Sequence, residues 1–163
     1  NEDGEVDIEN MKKVLAERGN MKVTFHRAFD MCKDPVKAFK DIKNLRIDIL
    51  LTSGQKKTAI EGKELIKKLV EISREGKTEE EKGFPEVMMA CGIDSLKKLE
   101  DMLNYTHASA FHMSAKRVID SEMKYRNPEV NMGIEGFSEY QKLETDKNTV
   151  EMYYNFLCEF IKS

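Results

Sequence analysis

Ile47-Asp48-Ile49-Leu50-Leu51-Thr52 runs almost without a polar break into the turn Ser53-Gly54-Gln55. An apolar run of that length marks a strand covered on both faces, as in a parallel sheet, rather than a strand with one wet face. Three further segments read as strands: residues 22–29, 86–90 and 108–115. Helical patterns lie before, between and after them. Ile8, Met11, Val14 and Leu15 share one face of a helix over 7–18, with Asp7 as its cap. Asp34-Pro35 opens the next helix, since Asp caps and proline at the first helical position loses only an N–H that had no partner. Val36, Phe39 and Ile42 form its buried face. Residues 58–72 place Ile60, Leu65, Leu69 and Ile72 on one side, and a helix capped at Asp94 or Ser95 carries Leu96, Leu99, Met102 and Leu103. A last helix from about residue 146 turns Val150, Tyr153, Phe156, Leu157 and Phe160 inward. Strands alternating with helices imply parallel strands joined by helical crossovers, an α/β fold. The Glu/Lys/Gly-rich residues 73–85 read as a surface loop, and 118–137 as an irregular segment.

Composition narrows the function classes. The 163 residues, 40% hydrophobic, suffice for a single domain, 1–163. Charged residues make up 35% and nearly balance to a net −3, so no Lys/Arg excess is present to neutralise nucleic-acid phosphates or an anionic membrane. No apolar run approaches the roughly 20 residues of a membrane span. Cys32, Cys91 and Cys158 are odd in number and far apart, which favours free thiols in a reducing compartment, hence a cytoplasmic location. No Gly-rich phosphate loop follows any strand. The chain begins at Asn1 without an initiator Met, and its first helix has no strand before it, so a preceding segment is expected.

Six segments, in order, resemble the copper-homeostasis CutC family: Asp3-Gly4-Glu5-Val6-Asp7, Val23-Thr24-Phe25-His26-Arg27-Ala28-Phe29-Asp30, Leu51-Thr52-Ser53-Gly54-Gln55, Phe111-His112-Met113-Ser114-Ala115, Met123-Lys124-Tyr125-Arg126-Asn127-Pro128, and Val130-Asn131-Met132-Gly133. The resemblance implies a (β/α)8 TIM barrel of which this chain covers about the last four strands, an incomplete barrel. It implies a role in copper homeostasis, with Cu(I) as the ion handled and a small-molecule or metal site at the barrel mouth. It also implies that the first half of the barrel, or a second copy in a homo-oligomer, completes the fold. One departure is visible: the third strand ends in Met89-Ala90-Cys91-Gly92-Ile93, where the family has a Gly-rich turn.

In such a barrel, ligands sit at the C-terminal ends of the strands. Side-chain alternation sends Thr24 and His26, and likewise His112 and Ser114, to the inner face, with Leu50 and Met88 expected there too. His26 reads as an acid/base or soft-metal ligand, or else as a buried, hydrogen-bonded ring. Arg27 and Asp30 either bind an anionic group and orient His26 or form a loop-ordering ion pair. Thr52, Ser53 and Gln55 offer hydroxyls, an amide and turn N–H groups to a phosphate or carboxylate, although Ser-Gly is also an ordinary turn. Arg126 can reach an anion from its loop. Cys91 is the one thiol placed for Cu(I), which prefers sulfur ligands. An enzyme acting on a small anionic substrate, with His26 as acid/base, is the competing reading on the same scaffold.

Overall fold

The computed structural model describes residues 1–75, 84–130 and 138–162. They form two compact units, residues 1–113 and 114–163. In the first, Asp7 caps helix α1 (Ile8–Ala16) by accepting from the Asn10 N–H. None of the α1 side chains is fully buried, and Val14, expected on its apolar face, is 60% exposed. Strand β1 is short (Thr24–Phe25), because His26 ends it by capping a 3-10 helix, Arg27–Met31. The expected strand over 22–29 is cut there: the His26 ring accepts the Ala28 N–H and turns the chain. Asp34 caps α2 (Pro35–Asn44) through the Val36 and Lys37 N–H groups, as the Asp-Pro pair requires. Then follow β2 (Ile49–Thr52), α3 (Lys63–Arg74), β3 (Glu86–Ala90), α4 (Leu96–Thr106) and β4 (Ala110–His112). Helix α3 starts at Lys63 and buries Ile66, Leu69, Val70 and Ser73, so Ile60 lies outside it.

The four strands are parallel, in the order β1-β2-β3-β4. A sequential order with right-handed crossovers carries the helices between successive strands to the same side. Burial follows suit. Phe25, Leu50 and Val87 stand in register, as do Thr52, Met89 and Phe111. Of these, Leu50, Thr52 and Met89 are wholly buried and Val87 nearly so. The core sits between that face and Phe39, Ile42, Ile66, Leu69, Leu99 and Met102. Thr24, Ile49, Leu51, Glu86, Met88, Ala90, Ala110 and His112 occupy the other face, and all but the buried Ala90 are half-buried or exposed. Leu50 therefore does not join Met88 on the open face as expected; alternation from the Phe25–Leu50 pair puts it under the helices.

The second unit holds an antiparallel pair, β5 (Lys116–Asp120) and β6 (Gln141–Thr145), and helix α5 (Lys147–Phe160). The expected irregular segment 118–137 thus opens inside a strand, where Val118 pairs with Leu143. Residues 131–137, with the Asn131-Met132-Gly133 motif, lie outside the described residues, as do 76–83 of the expected loop. Tyr153 on α5 is buried as expected, while Val150 is 46% exposed. Among the described residues no helix is long and apolar enough to cross a membrane.

Candidate functional site

Asp30 is the hub around which the C-terminal ends of β1 and β2 are organised. The 3-10 turn after His26 swings its carboxylate over the end of β2, where the chain reverses through Ser53 and Gly54. There it accepts from Thr52 Oγ1 at 2.6 Å, from the Ser53 N–H at 3.1 Å, from Ser53 Oγ at 3.0 Å and from the Gln55 N–H at 3.0 Å. Arg27 Nε donates to the same carboxylate at 2.7 Å. Burial by itself would raise the Asp30 pKa. The bonds from Thr52, Arg27 and the Gln55 and Ser53 N–H groups outweigh it, and the net displacement is downward.

Arg27 extends the hub toward β3. Its Nη2 donates to Ser53 Oγ at 2.6 Å and to the Lys56 carbonyl at 3.4 Å, and its Nη1 to Cys91 Sγ at 3.1 Å. A guanidinium has five N–H donors. These contacts engage four, and the remaining Nη1 hydrogen belongs to a side chain that is 40% exposed. Ser53 Oγ accepts from Arg27 and shares its own proton between Asp30 and the Lys56 carbonyl. No buried side-chain N or O among the described residues lacks a partner.

Two backbone devices allow this packing. Gly54 adopts φ +69°, and its missing side chain would stand 2.2 Å from the Gly62 carbonyl oxygen, so the turn lies directly on the chain entering α3. Cys91 sits at φ +73°, a left-handed conformation that glycine adopts freely and cysteine does not. The backbone thus keeps a glycine-like conformation where the sequence has Cys91. The Cys91 carbonyl accepts the Ala59 N–H at 2.9 Å, tying the end of β3 to the same region.

Arg27, Asp30, Thr52, Ser53, Gln55 and Cys91 therefore come together. Gln55 points its amide at the Cys32 carbonyl rather than into the network. The two histidines do not join. His26 Nδ1 accepts the Ala28 N–H at 3.1 Å, so the neutral ring carries its proton on Nε2. His112 is exposed at the end of β4, and the register places it on the same face as Thr24. Ser114 and Arg126 belong to the second unit. There the Ser114 carbonyl accepts from Thr145 Oγ1 at 3.3 Å. Arg126 donates to the Ser121 carbonyl at 3.0 Å, with its guanidinium 4.3 Å above the Tyr140 ring. Sequence reasoning missed the role of Asp30 as organiser of the 52–55 turn and the Gly54–Gly62 contact. The Arg-x-x-Asp spacing carried the first signal, and nothing local carried the second.

Cu(I) favours two or more soft donors with no competing cation. Cys91 instead accepts from a guanidinium, and among the described residues no group of three or more His, Cys, Asp or Glu side chains could hold a metal ion. Among the described residues, the donors around Cys91 do not fit the ion.

A sequence model of the CutC family matches residues 1–117. The chain is 35% identical over 154 residues to the CutC family protein of Parabacteroides distasonis, a match covering 93% of this chain and 59% of that protein. It is 34% identical over 160 residues to the CutC family protein of Bacteroides thetaiotaomicron, covering 98% and 59%. It is 39% identical over 150 residues to the human copper homeostasis protein cutC homolog, covering 91% and 52%. The chain thus spans somewhat over half the length of the curated relatives it matches. By the family model and by these identities, the chain belongs to the CutC family.

Proposed function

We propose that this chain serves copper homeostasis, as the names of its human and mouse relatives say of those proteins, and that it does so as part of a closed (β/α)8 barrel in the cytoplasm. Further strands, from a preceding segment or a second copy, complete the barrel. The three free cysteines agree with a reducing compartment. In this reading the C-terminal end of the sheet binds a small anionic ligand, and copper is handled without a tight Cu(I) site at Cys91. One observation carries it: Arg27 is hydrogen-bonded to Asp30 and Ser53 where barrels bind ligands, with one Nη1 hydrogen still to give. His26 is not the base in this reading, because its Nδ1 lone pair is already committed to the Ala28 N–H.

Calorimetric titration of the full chain with inorganic phosphate and with malonate tests the anion site. Saturable binding that Arg27→Met removes is expected, and absence of binding by both anions refutes it. Competition with a Cu(I) chelator tests the metal separately. A tight stoichiometric site abolished by Cys91→Ala would overturn the assignment of the ligand as organic.

A further inference from the structure

The bonding phase of the β5–β6 pair decides which backbone groups of β5 look outward. The Asp146 N–H donates to the Ala115 carbonyl at 2.9 Å, and the Ser121 N–H to the Tyr140 carbonyl at 2.6 Å. The register between them sets Lys116 opposite Thr145, Val118 opposite Leu143 and Asp120 opposite Gln141. Bonded positions in an antiparallel ladder recur at every second residue. Ala115, Arg117, Ile119 and Ser121 are therefore the bonded ones. The N–H and C=O groups of Lys116, Val118 and Asp120 point away from β6, and among the described residues β5 pairs with β6 alone. Alternation puts their three side chains on one face, and all three are exposed. Read along the edge, that face is cation, apolar, anion.

We propose that β5 pairs antiparallel with β5 of a second copy of this chain, about a twofold axis through Val118. In that register Lys116 stands opposite the partner's Asp120, Asp120 opposite the partner's Lys116, and the two valines face each other. Each opposed pair exchanges two main-chain bonds. Leu143, which is 52% exposed and shares the face of Val118, widens the apolar centre on both sides of the axis. The charge order selects the occupant. Lysine on an open edge ordinarily resists pairing, and like charges directly opposite are destabilising. A parallel pairing would set Lys116 beside its own copy and Asp120 likewise. Only the antiparallel self-register neutralises both ends. Arg117, on the other face, is already 3.4 Å from Asp146 and needs no partner from the second copy.

Sedimentation equilibrium on the wild type, Lys116→Asp, Asp120→Lys and the double exchange tests the pairing, with circular dichroism to verify the fold. The wild type is expected to dimerise. Each single exchange opposes like charges at both ends and should raise the dimer dissociation constant by about tenfold or more. The double exchange restores the opposite-charge pairs and should recover the wild-type constant. Val118→Pro leaves the β5–β6 ladder intact, because its N–H points outward, and should give a folded monomer. A wild type that stays monomeric at high micromolar concentration overturns the proposal. So does a dimer indifferent to the single exchanges and to Val118→Pro, or a double exchange no tighter than the singles.

Discussion

Replacing Asp30 tests whether the turn at the end of β2 is held by one carboxylate. Asp30→Ala removes the acceptor of five donors, from Thr52, Arg27, Gln55 and twice from Ser53. Thr52 and Ser53 are wholly buried, so the Thr52 hydroxyl and the Ser53 N–H cannot turn to water without opening the turn, whereas Ser53 Oγ keeps the Lys56 carbonyl as acceptor. A buried donor left unpaired costs about 1–3 kcal/mol. The loss of the Arg27 pair adds less, since that side chain is 40% exposed and screened. The sum is about 3–5 kcal/mol, a large share of the roughly 5–15 kcal/mol that holds a domain together. Asp30→Asn keeps one acceptor but turns a donor toward donors, and should fall between. Urea denaturation followed by circular dichroism measures both. The pH dependence carries a sign. Because the folded Asp30 pKa lies below its ordinary 3.8, its stabilisation is fully present above that value and disappears as pH falls through the lower folded pKa. The gap between wild type and Asp30→Asn should stay constant near neutrality and close in acid. A neutral-pH loss for Asp30→Ala below about 1 kcal/mol, within the worth of a single exposed bond, would refute the hub.

Gly62→Ala places a methyl carbon 2.0 Å from the Ser53 carbonyl oxygen, backbone against backbone, and should cost about 3 kcal/mol or more. An unchanged thermal midpoint would show that the 52–62 segment yields. Thr52→Val keeps the shape but deprives Asp30 of a donor and the Gly54 N–H of its acceptor, for a loss of about 1–3 kcal/mol that Thr52→Ser should largely avoid. If Thr52→Ser is as damaging as Thr52→Val, packing of the methyl group rather than the hydroxyl governs the site. Cys91→Gly should be more stable than Cys91→Ala by about 1 kcal/mol, since both lose the Arg27 contact and only glycine relaxes at φ +73°. Equal denaturation midpoints for the two would remove the backbone from the explanation.

The parallel sheet was legible because its signals are local and redundant. Ile49, Leu50 and Leu51 announce a strand of a parallel sheet, although among the described residues only its Leu50 side is fully buried, and Asp34-Pro35 announces a helix start that the capping bonds match. Parity along the strands placed Thr24 and His112 on one face. It failed for Leu50 because the phase of β2 against β1 is a tertiary quantity that no single strand contains. The strand over 22–29 was overestimated for a different reason. Thr24 to Phe29 has good strand propensity, but the His26 ring captures the Ala28 N–H, and a side-chain cap of that kind competes with the ladder. The β5–β6 pair was illegible because Lys116, Arg117 and Asp120 interrupt the apolar alternation by which a strand is recognised. In the site, Arg27, Asp30 and Ser53 were chosen for their chemistry, and the fold joins them. The Cys91 contact depends on β3 lying beside β2, which the order of elements suggests but does not fix.

The open face of the sheet bears on the barrel proposal. A doubly wound sheet carries helices on both faces, and its strand order reverses at a switch point. Here the order is sequential, so right-handed crossovers place the crossover helices α2, α3 and α4 together on one side. A sheet that ends in water on its second face has polar residues there. The second face of this one has Ile49 and Leu51 on β2 and Met88 and Ala90 beside Glu86 on β3, with Thr24, Ala110 and His112 on the outer strands. Apolar side chains at the centre of a face without crossover helices are costly to leave wet, at about 1.5–3 kcal/mol for each one fully exposed. Crossover helices cannot relieve that cost where the crossover rule forbids them. Curling does, because a closed barrel fills its interior with layers of branched side chains drawn from alternate strands. The same curvature would bring the C-terminal ends of all strands around one mouth, and Arg27 stands at that end. Strand order, read with the right-handed crossover rule, and the apolar residues Ile49, Leu51 and Met88 on the second face thus support closure.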